Sequence, residues 1–169
     1  MSAKKEQYGP EYRAHLLEQY KLYVEMADRV SQRRMDTNKF FISIHTFMIT
    51  LMSLFSKGNT AVLMLAAVMG MLFSGAWFFL LRNYRQLNSG KFRVVQEMEA
   101  ELPYYPYGAE WDKLERGKNR KLYWPLSHLE VVLPVIFGLL YLAFLLYLVH
   151  CVRNGIAVPL GIAQDSSAS

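Results

Sequence analysis

Among 169 residues only one, Cys151, is a cysteine, so a disulfide within the chain is excluded and the redox compartment stays unread. The four histidines, His15, His45, His128 and His150, stand in no metal-ligand spacing. A Gly-rich phosphate loop and a nucleophile elbow are missing too. Glu97, Glu99 and Glu101 occupy alternate positions, which on a helix scatters them round the axis instead of pairing them for acid and base work. The expectation is a protein that is not an enzyme and carries no cofactor and no metal. A basic start followed quickly by a short apolar core is also lacking, since 39 mixed-charge residues precede the first apolar run. No cleaved leader is expected.

Charge is scarce as well, at 20% of residues against 53% hydrophobic, and the apolar residues come in blocks. Ala61 to Leu81 holds 21 residues without a charge, and Val131 to Val152 holds 22, with His150 as its one titratable imidazole. At about 1.5 Å per residue each crosses a hydrocarbon core of roughly 30 Å. Phe40 to Phe55 offers only 16 residues, interrupted by Ser43, His45, Thr46, Thr50 and Ser53. Because SKGN, residues 56 to 59, is so short a connection, this run is read as inserting together with the next one as an antiparallel hairpin, with Lys39 and Lys57 snorkelling outward. The fold expected is all-α and integral to a membrane, with three transmembrane helices and cytoplasmic helical extensions.

Lys and Arg fix the orientation. Seventeen of the nineteen lie in residues 1–39 and 82–129, the other two being Lys57 and Arg153. By the positive-inside rule those two segments face the cytoplasm, and the net charge of +5 reflects orientation, not nucleic-acid binding. The chain divides accordingly. Residues 1–39 form a cytoplasmic amphipathic helix and 40–81 a transmembrane hairpin. Residues 82–129 form a cytoplasmic helix with an aromatic and basic loop, 130–152 the third span, and 153–169 a periplasmic tail.

Within the first segment a helix over 10–34, opening on Pro10, carries Leu16, Tyr20, Tyr23, Ala27 and Val30 at spacings of 4, 3, 4 and 3. This short seam wants a partner, either the other cytoplasmic helix of the same chain or another subunit. The second apolar run is expected to continue as helix to Leu102, weakened at Ser89 and Gly90. In PYYPYGAEW, residues 103–111, the two prolines are read as forbidding regular helix. Lys118, Arg120 and Lys121 are candidates for anionic lipid, with Tyr123 and Trp124 at headgroup depth, and Ser127 with Glu130 as a capping box. The bland alternative is that these cations only satisfy orientation.

Two features bear on assembly. Ser43, Thr46, Thr50 and Ser53 follow 3, 4, 3 spacing, with His45 beside them. Such a polar line either bonds to neighbouring helices and its own i−4 carbonyls or, repeated round a ring of subunits, lines a channel in which His45 confers pH sensitivity. Ala66, Gly70 and Ser74 make a small-xxx-small face that lets another helix approach. Both favour a homo-oligomer.

The order of landmarks resembles the bacterial RipA-like family of small octameric inner-membrane proteins and, more loosely, the two-span SLATT effectors proposed to form pores in phage defence. The resemblance covers roughly residues 10–115 and rests on RRMDTNKFF and NYRQLNSGKFRVVQEMEAELPYYPYGAEW. Its marks are Arg33, Arg34, Asn38 and Phe40, then Tyr84, Arg85, Asn88, Lys91, Phe92, Glu99, Leu102, Pro103, Tyr107, Glu110 and Trp111. It implies a self-associating assembly in the inner membrane with a stress or host-adaptation role and no known reaction. The third apolar run departs from the SLATT pattern. Beside it stands the residue reading that Arg33, Arg34, Arg85, Lys91 and Arg93 face Glu97, Glu99, Glu101 and Glu110 in one cytoplasmic layer, where partly buried ion pairs would select a register. The function expected is a structural or interaction assembly, with a gated pore lined by the first span as the alternative.

Overall fold

A computed structural model describes residues 5–54, 59–119 and 126–156, with backbone alone at 5, 6 and 126–129. Everything regular among them is helical: α1 Lys5–Tyr8, α2 Tyr12–Leu54, α3 Thr60–Glu99, α4 Pro106–Lys113, a 3-10 turn Glu115–Gly117, and α5 Leu126–Arg153. Gly9, at φ +91°, separates α1 from α2. That positive φ is cheap only without a Cβ, and it moves the start of the long helix two residues beyond Pro10.

The chain divides into two units, one made of Met1–Met35 with Arg82–His128 and the other of Asp36–Leu81 with Leu129–Ser169. In the second unit the buried residues of α3 are Leu63, Ala67, Gly70, Ser74, Trp77 and Leu81, at spacings of 4, 3, 4, 3 and 4. That repeat keeps one seam facing inward along a helix pair, as in a coiled coil. On α5 Pro134, Tyr141, Leu148 and Cys151 are buried, and on α2 Phe41 and His45. The opposite faces are apolar but open. Val62, Leu65, Leu72 and Phe79 on α3, and Val132, Leu139, Leu146 and Val152 on α5, are all exposed, Leu65 by 64%. So much contiguous apolar surface is incompatible with water and suits lipid or a neighbouring subunit.

Among the described residues two helices, α3 and Glu130–Arg153 of α5, are long and apolar enough to cross a membrane. The expectation of three spans is corrected to two helices that are long and apolar enough to cross on their own. Residues 40–54 are helical, but as the far end of α2, and Ser43, His45, Thr46, Thr50 and Ser53 leave too little unbroken apolar length.

The first unit turns the 16–30 seam toward its own chain. Ala27 and Val30 are buried and Leu16, Tyr20 and Tyr23 half-buried, and Lys91 Nζ sits 4.8 Å from the centroid of the Tyr23 ring. Helix α3 runs unbroken through Ser89 and Gly90 and stops at Glu99, three residues short of Leu102. The chain then turns through bonds from Glu101 N–H to Met98 O and from Leu102 N–H to Glu99 O. Helix was not expected in PYYPYGAEW, yet Pro106 opens α4 in its first turn. The missing N–H of a proline costs nothing there, because that donor has no intrahelical acceptor anyway. Of the four aromatics, Tyr104, Tyr105 and Trp111 are exposed, whereas Tyr107 packs edge-on against Phe92. The capping box at Ser127 concerns a side chain outside the described residues, and α5 begins one residue earlier.

Candidate functional site around His45

The second unit has a polar centre in an apolar seam. Residues 41 and 45, one helical turn apart, share a face of α2, which sends Phe41 and His45 inward together. The Phe41 ring stacks on Trp77 of α3, 5.7 Å between centroids and 6° between planes. His45 stacks on Phe137 of α5 at 4.7 Å and 15°. His45 Nδ1 and the Tyr141 hydroxyl share a hydrogen bond at 3.2 Å, and Trp77 Nε1–H donates to Asn38 Oδ1 at 2.9 Å. Each of the three helices thus contributes both a ring and a polar atom, and the two bonds fix their register. In an apolar seam a slip would strand these groups, each at a cost of about 1–3 kcal/mol.

His45 and Trp77 are both fully buried. His45 Nε2 and Ser74 Oγ are buried and without a hydrogen-bond partner among the described residues. Close by, Ile49, Met52, Ser53, Phe137, Leu140, Tyr141 and Phe144 line an apolar recess of about 250 Å³.

Gly70 is what lets Tyr141 reach His45. A Cβ at position 70 would lie 2.5 Å from Tyr141 Cε1, with Cδ1 and Cζ hardly farther. The ring is buried and held by His45, so it has nowhere to go. Gly70→Ala is expected to cost about 1–3 kcal/mol by overpacking. Gly75→Ala, where an added Cβ meets nothing within 4 Å, is expected to be neutral or mildly stabilising. Thermal unfolding of both variants in one detergent checks the contrast.

The polar line divides. Ser43, Thr46, Thr50 and Ser53 are exposed, the first three well round the helix from His45 and Ser53 at the recess beside Tyr141. The hydroxyls of Ser43, Thr46 and Thr50 donate to the i−4 carbonyls of Lys39, Ile42 and Thr46, each at 2.9 Å. His45 therefore does not share the face expected of it. In the small-residue face Gly70 and Ser74 are buried and Ala66 half-buried, with Tyr141 against Gly70 and Gly138 close to Ser74. The close approach is to α5 of the same chain.

In the first unit the buried Glu99 gathers donors. It accepts the Tyr20 hydroxyl at 3.0 Å and the backbone N–H groups of Tyr107 at 3.0 Å and Gly108 at 3.1 Å. Burial first, then the bond and charge of Glu99, push the Tyr20 phenol up to about 12. Burial, with Asp28, Glu110 and Glu99, also raises Tyr107. Glu99 draws on a phenol and on the start of α4, and Lys91 on a ring. Arg33 is exposed and Arg34 and Arg85 are half-buried, and all three are engaged. Exposed pairs Lys21–Glu18, Arg29–Glu25, Lys39–Asp36 and Arg116–Asp112 are local, three or four residues apart. Trp111 passes over Gly117, where a Cβ would meet its ring at 3.2 Å. Lys118 is exposed; Arg120 and Lys121, like Tyr123 and Trp124, lie outside the described residues.

Sequence reasoning missed Trp77, Phe137 and Tyr141 as partners of His45. A tryptophan at one of the inward seam positions of an apolar run was the available signal for the first. Among the described residues no three His, Cys, Asp or Glu side chains gather as metal ligands. Chemically the site can lock helices and exclude water.

No curated protein and no solved structure matches the chain. The model of the octameric membrane protein family (8xMP) matches residues 17–150, from the first turns of α2 to the last turn of α5 and so across both the Glu99 and the His45 centres, and the chain belongs to that family.

Proposed function

We propose that the chain is the non-enzymatic building block of a homo-octamer in the bacterial inner membrane, serving as a structural or interaction scaffold. The observation that carries this reading is the division of surfaces in the Asp36–Leu81 and Leu129–Ser169 unit. Its interior is filled by Trp77, His45, Phe137 and Tyr141, and its outer faces of α3 and α5 are apolar and open. With the described interior filled in this way, the exposed Leu and Val rows suit neighbouring subunits and lipid. The Lys and Arg bias supports a cytoplasmic amino terminus and a cytoplasmic 82–119 segment, which belong to one compact unit; because they flank α3, this reading needs residues 36–54 of α2 to recross the bilayer beside α3. The RipA-like resemblance supports a role in stress or host adaptation.

A second reading is favoured by one observation, that Ser43, Thr46, Thr50 and Ser53 lie exposed on the protomer. Round an octamer they line an axial pore, while His45 stays inside each protomer. Current recordings of purified protein in planar bilayers separate the two. Silence at all voltages and at pH 5 to 8 supports the scaffold. Discrete openings that change amplitude in Thr46→Val and Thr50→Val, with subunit number unchanged, support the pore.

A further inference from the structure

Eight copies that enter the bilayer the same way round have one closed symmetry open to them, a ring turned about the membrane normal, because a dihedral arrangement would invert half of them. In such a ring neighbours meet head to tail, so each subunit offers two different surfaces. Rotation about the normal also preserves depth, and the two surfaces must therefore stand at one height in the bilayer. The Asp36–Leu81 and Leu129–Ser169 unit has such a pair. Its recess of about 250 Å³ is walled, among the described residues, by α2 and α5 alone. Ile49 and Leu140, one on each helix, are exposed beside it, so it opens outward between them, on the flank that α3 does not cover. On α3 the buried seam through Gly70, Ser74 and Trp77 faces the other two helices, and Leu65, Leu72 and Phe79 stand exposed about 180° round the axis from it. One surface is hollow and the other ridged, on opposite sides of the unit.

Depth selects the residue. The Tyr141 ring lies against Gly70, and Gly138 stands at the level of Ser74. With an equal rise per residue, the α5 wall of the recess, Phe137 to Phe144, covers the heights of roughly positions 67 to 75 of α3. Of the ridge only Leu72, 62% exposed, falls in that range. Leu65 and Phe79 lie about 10 Å to either side of it along the helix. In hydrocarbon, helices associate through close packing and through the freedom returned to lipid, and a preformed hollow lets one leucine gain contacts on every side. An acyl chain in the same hollow would give up more freedom than a side chain already fixed on a helix. Resting on the octamer and the orientation proposed above, we infer that Leu72 of each subunit inserts into the α2/α5 recess of the next and that this contact, repeated eight times, closes the ring. The contact is the same with or without an axial pore.

The test is disulfide cross-linking of the full chain in membranes, in a Cys151→Ala parent so that no native thiol competes. Leu72→Cys/Leu140→Cys places both thiols at exposed positions. Within one chain they lie on opposite flanks, too far apart for a bridge that needs Cα atoms within about 7 Å. Oxidation is expected to give a ladder from dimer to octamer on a denaturing gel. The yield is expected to exceed that of Leu65→Cys/Leu140→Cys and Phe79→Cys/Leu140→Cys by about tenfold or more, since those thiols stand about 10 Å out of register. Native mass spectrometry of each reduced protein counts subunits separately. In the same spectra Leu72→Ala is expected to lower the octamer fraction severalfold, and Leu72→Met, of similar volume, to keep it. Eight subunits with the Leu72 pair unlinked overturns the contact and leaves the octamer standing. Labelling of Met52 or Phe144 by a phospholipid with a photoreactive acyl chain, in that unlinked octamer, assigns the recess to lipid instead. A product that stops at the dimer with every thiol consumed overturns the head-to-tail ring in favour of two-fold pairing. A parent with fewer than eight subunits overturns the octamer itself.

Discussion

Trp77→Ala is expected to loosen the membrane-side unit by about 3 kcal/mol. Trp77 is fully buried, stacks on Phe41 and packs with Leu81, Phe73 and Phe137. In lipid the transfer of an indole out of water contributes little, so the loss is of packing contacts and of the bond from Nε1–H to Asn38 Oδ1. Both substitutions strand the amide oxygen of Asn38; Trp77→Ala also leaves a void, whereas Trp77→Phe keeps most of the ring. The order expected in thermal unfolding is wild type, then Trp77→Phe lower by about 1 kcal/mol, then Trp77→Ala lowest. Trp77→Ala/Asn38→Leu is expected to recover part of the loss, because no polar atom is then left without a partner. Equal stability of Trp77→Ala and wild type would mean that Trp77 faces lipid.

Glu99→Ala is expected to release the start of α4. It removes the acceptor for the Tyr20 hydroxyl and for the N–H groups of Tyr107 and Gly108. Bonds to a charged acceptor contribute about 1.5–3 kcal/mol each, but the two amides can turn to water once the helix frays, so the net cost is roughly 3 kcal/mol. Glu99→Gln keeps one acceptor oxygen and points an amide donor at the remaining N–H, for roughly half that cost. Hydrogen exchange at Tyr107, Gly108 and Ala109 is expected to accelerate in the order wild type, Gln, Ala.

The same site sets an alkaline limit. Tyr20 stands at about 12 in the folded protein against 10.0 unperturbed, so folding favours its neutral form. That contribution is complete below pH 10 and is lost as pH rises toward 12. Wild type is expected to loosen the unit that holds Glu99 over that window. In Glu99→Ala the phenol falls toward its ordinary value but not fully to it, because burial is the larger cause and outlasts the carboxylate. Phenolate absorbance against pH reads both midpoints.

What could be read in advance was what depends on neighbours along the chain. The uncharged runs at 61–81 and 131–152 announce helices that cross a bilayer, and the 4, 3, 4, 3 spacing from Leu16 to Val30 announces a face in need of cover. What could not be read was what depends on distant residues. His45 meets Tyr141 across 96 positions and Trp77 meets Asn38 across 39, and no local pattern encodes either. Glu99 looked like one of three scattered acids, and only the turn after α3 folds the amides of Tyr107 and Gly108 onto it. Adjacent residues on a helix stand about 100° apart, which is why Thr46 faces out while His45 faces in, although both fall in one polar stretch. Pro106 misled because a proline forbids the interior of a helix but favours its first turn.

The central claim is that each subunit closes its own interior and assembles with seven others through its outer apolar faces. An image of the purified assembly in lipid, at side-chain resolution, tests it most directly. The account predicts eight copies, with every His45 imidazole against Tyr141 and Phe137 of its own chain; histidines turned to a central axis, or bonded across a subunit boundary, would contradict it.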